Sequence, residues 1–254
     1  MKKSAKIIIA AVAVIALLAG VVAFIVLKNQ GVFSAGNDEK YSVAQTEVYE
    51  GSPIEGKTVI FLGSSVTYGA TSKGESFADY LEKRDKIIAV KEAVSGTTLV
   101  DSGENSYVSR LKTIDTEIKA DAFICQLSTN DATKKKPLGE VAEGFDIESF
   151  DTQTVAGAIE YIIAYARETW DCPVVFYTGT KYDSERYEQM VLLLYKIADK
   201  WGIDLIDLWG DEDMNNVTPE KYSLYMVNGI HPSRAGYQLW WTPKFEEYLY
   251  TKLV

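Results

Sequence analysis

One histidine occurs in the chain, His231, in the segment NGIHPSRAGY. A serine hydroxyl is a weak nucleophile and attacks a carbonyl only with a base beside it. If this chain runs serine chemistry with an imidazole base, His231 is the only candidate; the bland alternative is a structural histidine. Pro232 biases His231 toward extended backbone, and Ser233 reads as the N-cap of a following helix. That arrangement would mount a rigid base at the rim of a crevice. A candidate nucleophile lies far upstream, in FLGSSVTYG (61–69), where Ser64 and Ser65 directly follow an apolar run. Two more small polar clusters follow apolar runs, Ser95-Gly96 and Ser128-Thr129-Asn130-Asp131.

Those clusters need a scaffold that brings them together. Short apolar runs occur at 57–63, 86–94, 121–127, 173–179 and 203–209. Helix-period stretches lie between and after them: SFADYLEKR, TQTVAGAIEYIIAYARETW, SERYEQMVLLLYKIADKW and the C-terminal SRAGYQLWWTPKFEEYLYTKL. Pro243 should kink or break the last of these. Ser184 reads as a further N-cap, with Glu185 and Glu188 in or beside the first turn, where the helix dipole favours negative charge. Continuous apolar strands alternating with amphipathic helices predict a mostly parallel five-stranded sheet covered on both faces. Ligands of such sheets bind at the carboxyl ends of the strands, which is where all three polar clusters fall. The segment GATSKGES (69–76) has G-x-x-x-x-G spacing, but Glu75 stands where a phosphate-binding loop needs lysine. It also starts well past the strand end, so the pattern argues against a nucleotide cradle.

The chain has 254 residues, is 47% hydrophobic and carries a formal charge of −10. That supports one sizeable core and argues against a nucleic-acid partner, which needs a basic surface. Residues 7–27 contain no charge over 21 positions, roughly 30 Å of helix and enough to cross a bilayer core. The expectation is an uncleaved transmembrane anchor, with a cleaved signal as the alternative. Lys2, Lys3 and Lys6 precede the segment and Lys28 follows it. The positive-inside rule then leaves the N-terminus in the cytoplasm and the rest outside. Those four lysines are the only charges in residues 1–28, so of 26 basic residues 22 remain to face 36 acidic ones. Residues 28–56 read as a polar tether with a short edge strand near 45–49, leaving 57–254 as the folded domain. Cys125 and Cys172 form no C-x-x-C and read as buried free thiols, with a disulfide between them as the alternative.

The residues resemble the SGNH/GDSL hydrolases, esterases and lipases on a flavodoxin-like, three-layer α/β/α sandwich. Gly63-Ser64-Ser65 looks like the family's Gly-Asp-Ser block, which would make Ser65 the nucleophile. Gly96 matches the glycine whose N–H faces the oxyanion. Ser128-Thr129-Asn130-Asp131 resembles Gly-x-Asn-Asp, making Asn130 the side-chain oxyanion donor beside the Ser65 and Gly96 N–H groups. Asn228-Gly229-Ile230-His231-Pro232 resembles Asp-x-x-His-Pro, with His231 as base. The four blocks occur in family order across residues 57 to 250. Three positions depart from the pattern: Ser64 replaces an aspartate, Ser128 a glycine, and Asn228 the triad acid. Asn228 could itself orient His231, a backbone carbonyl could do so in a Ser-His dyad, or Asp211, Glu212 or Asp213 could fold in. The resemblance implies a serine esterase acting on small-molecule, glycan or lipid esters, with no metal or organic cofactor, and the N-terminal span places it outside the cytoplasm. The alternatives are an O-acyltransferase on the same fold and an envelope binding module that lost activity at Asn228. Tyr68, Tyr182 and Trp209 could line an acyl- or sugar-binding surface, and residues 103–111 a substrate loop.

Overall fold

The described residues contain five strands, each inside one of the expected apolar runs and trimmed at its ends. They are β1 (Thr58–Gly63), β2 (Ile88–Ala93), β3 (Ala122–Gln126), β4 (Val174–Tyr177) and β5 (Asp204–Ile206). The structure, a computed structural model, describes residues 3–254, with side-chain surroundings from Ala11 onward. Lys2, and the side chains of Lys3 and Lys6, on which the expected orientation of the N-terminus rests, lie outside the described residues. The strand order is β2-β1-β3-β4-β5, and every pairing is parallel. This is the flavodoxin-like order, which reverses direction between β1 and β3 and opens a crevice at their carboxyl ends.

The helices are α1 (Lys3–Asn29), α2 (Ser65–Tyr68), α3 (Phe77–Asp85), α4 (Tyr107–Leu111), α5 (Thr129–Thr133) and α6 (Val155–Trp170). They continue as α7 (Glu185–Trp201), α8 (Glu212–Asn215), α9 (Pro219–Tyr225), α10 (Arg234–Gly236) and α11 (Thr242–Lys252). Side chains alternate across a strand, so β1 feeds two cores. Ile60 and Leu62 pack with Ile159, Ile163, Met190 and Leu194 of α6 and α7. Val59 and Phe61 pack on the other face with Phe77, Leu81, Phe245 and Leu249 of α3 and α11. Phe77 and Phe245 stack with centroids 3.8 Å apart. Ser184 and Ser233 cap α7 and α10, accepting from Tyr187 N and Gly236 N at 3.2 Å each. Pro243 does not break the C-terminal helix. A π-helical turn, Tyr237–Trp241, joins α10 to α11 without interruption and directly precedes Pro243, whose missing N–H the widened turn accommodates.

Residues beyond α1 do not hang as a tether, and the edge strand expected at 45–49 does not form. Three 3₁₀ turns, Ala35–Asn37, Glu39–Tyr41 and Val43–Gln45, lie against the domain. Asn37, Ser42, Thr46, Ser52 and Ile54 are buried. The segment's backbone and side-chain polar groups bond to α3 and to loops of the domain rather than to a strand, as with Val43 N on Glu75 and Tyr80 OH on Tyr41 O. Within α1, Ala11–Asn29 is long and apolar enough to cross a membrane by length and composition, and none of it is buried. Cys125 and Cys172 are buried free thiols; burial pushes both thiols up, Cys172 to about 11.

Candidate active site

Gly63 ends β1 where nothing larger fits, because a Cβ there would stand 1.7 Å from Thr67 Oγ1. The chain turns at Ser64 and enters α2 at Ser65. One buried side chain from the neighbouring strand holds this turn. Gln126 Oε1, at the end of β3, accepts from Ser64 N at 2.9 Å and Thr67 Oγ1 at 2.8 Å. Arg110, buried on α4, donates to Gly63 O at 2.7 Å. Ser65 is left 8% exposed, and its N–H belongs to a helix's first turn, where N–H groups have no partner within the helix.

Ser65 Oγ lies 2.8 Å from His231 Nε2, across 166 residues of sequence. The other ring nitrogen, Nδ1, is 3.0 Å from Asn228 Oδ1. That oxygen also accepts from the backbone N–H groups of Ile230 and His231, both at 3.0 Å. Backbone N–H groups only donate, so the Asn228 atom they meet is the carbonyl oxygen and not the amide nitrogen. An oxygen cannot donate to Nδ1, so Nδ1 carries the proton and Nε2 presents a lone pair to the Ser65 hydroxyl. The tautomer that leaves Nε2 free to accept is set without a carboxylate. The loop is held by Val227 N on His231 O at 2.9 Å, by a bridge between Met226 and Pro232, and by Thr71 Oγ1 on Pro232 O at 3.0 Å. Burial holds His231 below the usual imidazole range. Among the described residues, none of Asp211, Glu212 and Asp213 bonds His231. Asp211 instead pairs with Lys244 at 2.6 Å and caps α8.

The expected oxyanion donors converge less completely. Asn130 Nδ2 donates to Thr97 O at 2.9 Å and to Ser64 Oγ at 3.2 Å, so its amide stands beside the Ser64-Ser65 turn but has both hydrogens engaged. Ser128 caps α5 and accepts from Asn130 N. Gly96 adopts φ +81, a conformation that favours glycine, and a Cβ there would meet nothing within 4 Å. Its residue opens on a cavity of about 350 Å³ that also meets Thr97, Asn105 and Lys134. Asp131 anchors the same loop, accepting from Leu99 N and Val100 N at 2.8 and 3.1 Å, and burial raises its pKa.

The model of the GDSL-like lipase/acylhydrolase family matches residues 61–239. The chain belongs to this family. No curated protein matches it in sequence. Among solved structures it is similar to a protein from Lactobacillus plantarum, at 20% identity and a TM-score of 0.65 over 78% of this chain and 98% of the other. A member of the lipolytic protein G-D-S-L family from Veillonella parvula superposes with a TM-score of 0.56 at 14% identity, over 75% of this chain and 97% of that one. A family two carbohydrate esterase from Clostridium thermocellum, solved in complex with cellohexaose, gives 0.53 at 16% identity, over 78% and 64%.

This GDSL-family hydrolase adds a support that its short motifs do not contain. Asn37, before the domain proper, donates to Thr71 O at 2.6 Å and Gly31 O at 2.8 Å, and accepts from Arg234 N at 2.9 Å. Thr71 follows the Ser65 turn and Arg234 follows His231, so one buried amide joins the Ser65 and His231 loops. Arg234 adds ion pairs to Glu75 at 2.6 Å and Glu39 at 3.1 Å. The aromatic residues do not assemble as one surface. Trp209 is buried against Tyr182 and Tyr187, and Tyr68 is exposed beneath Lys91. Of residues 103–111, Gly103–Ser106 form a loop on the cavity beside Gly96, and Tyr107–Leu111 form α4, which supplies Arg110. Gln126, Arg110, Asp131 and Asn37 escape a sequence reading because each acts on a loop remote in the chain. The only local hints are a polar residue in an apolar strand, Gln126, and an acid beside Asn130.

Proposed function

We propose that this GDSL-like hydrolase acting on esters is a membrane-anchored, extracytoplasmic serine esterase, with Ser65 as nucleophile, His231 as base and Asn228 as the residue that orients the base. One observation carries this reading: the Ser65 Oγ–His231 Nε2 contact of 2.8 Å, with Nδ1 held by an oriented Asn228 oxygen. Ser65 Oγ attacks the ester carbonyl carbon while its proton moves to His231 Nε2. The carbonyl oxygen becomes an oxyanion facing the N–H groups of Ser65 and Gly96 and the Asn130 amide, which turns one hydrogen from Ser64 Oγ toward it. Each such donor is worth about 3–4 kcal/mol when removed. His231 then protonates the leaving alcohol, and the acyl-Ser65 bond is cleaved by water that His231 deprotonates in turn. The substrates are acyl or acetyl esters of glycans or lipids outside the cell, and the apolar α1 is the anchor.

The test is labelling by a serine-reactive fluorophosphonate, together with turnover of short acyl esters. The wild type should be labelled and active, and Ser65→Ala should lose both. An unlabelled wild type would point to a binding module instead, and acylated acceptor in place of free acid would point to a transferase.

A further inference from the structure

The apolar helix does not end in a flexible leash. Gly31, just past the end of α1, is buried with φ +75, and a Cβ there would lie 2.4 Å from Thr71 O and 3.0 Å from Val227 Cγ2. The Asn37 amide holds Gly31 O at 2.8 Å. The end of the helix is thus pinned to the domain beside Val227, the neighbour of Asn228.

A cavity of about 530 Å³ opens between the helix and the domain. Phe24, Lys28 and Phe33 wall one side, and Tyr222, Met226 and Asn228 the other. Phe24 and Phe33 stack with centroids 5.4 Å apart. Phe24 lies five residues before the end of α1, about 7.5 Å down its axis at 1.5 Å per residue. The domain wall facing Phe24 therefore stands at the depth of a residue within the apolar span. Around the same cavity Phe33 is 58% exposed and Tyr222 37%, and Val32 beside Phe33 is 56% exposed. Large apolar side chains left in water around a hydrophobic helix lack a partner. Aromatic residues and a snorkelling lysine are what the boundary between headgroups and acyl chains accommodates.

We propose that the face formed by Val32, Phe33 and Tyr222 docks into the headgroup boundary of the leaflet from which α1 emerges, and holds the His231 loop at the bilayer surface. The proposal rests on the anchor reading of α1. Its contacts are apolar, so it needs no anionic lipid and is insensitive to salt. This accords with the acidic excess of the chain beyond residue 28.

The experiment uses the full-length protein in phosphatidylcholine vesicles, with Tyr222→Cys carrying an environment-sensitive nitrobenzoxadiazole probe. Cys125 and Cys172 are buried and do not compete for the label. The emission should shift to the blue and lose most of its intensity when the acyl chains are brominated, equally at low and high salt. A probe at Leu192→Cys, exposed on α7, should stay water-like, and Phe33→Asp should return the Tyr222→Cys probe to water-like emission. Vesicle-bound protein with an unquenched Tyr222→Cys probe overturns the docking and leaves the anchor standing. Protein that fails to float with the vesicles overturns the anchor reading and the docking with it. A blue shift that brominated lipid does not quench, accompanied by a dimer, assigns the face to a second copy of the chain and overturns the proposal.

Discussion

An asparagine at the triad-acid position can harm a hydrolase in two separable ways. It can turn its amide nitrogen to the imidazole and select the wrong tautomer, and it brings no charge to stabilise the imidazolium. In the serine protease template, Asp→Asn costs about 10⁴ in kcat, chiefly through the tautomer. In this chain the N–H groups of Ile230 and His231 hold the Asn228 oxygen toward Nδ1, so the first loss is averted and only the charge is missing. Asn228→Asp should therefore raise kcat by roughly ten- to a hundredfold, well short of that 10⁴. The pH profile separates the two contributions. Burial places His231 below the 6.5 of a free imidazole. Protonation removes the base, so kcat/KM should climb with pH through an inflection below 6.5 and stay flat above it. In Asn228→Asp the new carboxylate favours the imidazolium, and the inflection should move up. An inflection that does not move would show that residue 228 does not face the ring in solution.

At the scale of elements, the site depends on loops being held against one another. Asn37 joins Gly31, Thr71 and Arg234, and losing it strands buried partners at about 1–3 kcal/mol. Asn37→Ala should lower the melting temperature and reduce kcat more than it changes KM, because the Ser65–His231 spacing loosens while the substrate surface stays intact. Asn37→Asp keeps the acceptor for Arg234 N but sets a buried carboxylate oxygen against the Gly31 and Thr71 carbonyls, so it should lose at least as much as Asn37→Ala; equal kcat in all three proteins would remove Asn37 from the site. The strands were legible beforehand because continuous Val, Ile and Phe runs have few other uses in a soluble domain. The 28–56 segment packs against the domain although its composition suggests a tether, because polar composition looks the same in a solvated tether and in a segment clipped down by side-chain hydrogen bonds. Its buried contacts lie up to 197 residues away in the chain, and no local periodicity encodes them.

For the whole molecule, the boundary that matters falls at the end of α1 rather than at residue 57. Removing residues 1–30 should leave the melting temperature and the soluble-ester rate close to wild type. Removing residues 1–56 also strips buried Asn37, Thr46 and Ile54 and the Glu39–Arg234 pair, and should lower the melting temperature by about 10 °C, at roughly 2–4 °C per kcal/mol for a domain of this size. Equal melting temperatures would sink that account. What the sequence alone determined was chemical identity and order: one histidine, a Gly-Ser-Ser turn after an apolar run, Asn130 after another, and an apolar segment long enough to span. Residue types and short-range periodicity carry such information. The tertiary structure decided how these parts act on one another. It faced Ser65 toward His231, turned the Asn228 oxygen rather than its nitrogen to the ring, engaged the Asn130 amide with Ser64 and Thr97, and pinned Gly31 beside the His231 loop. Hydrogen-bond direction and loop-to-loop contact depend on groups brought together from distant parts of the chain, and only the fold specifies which groups meet.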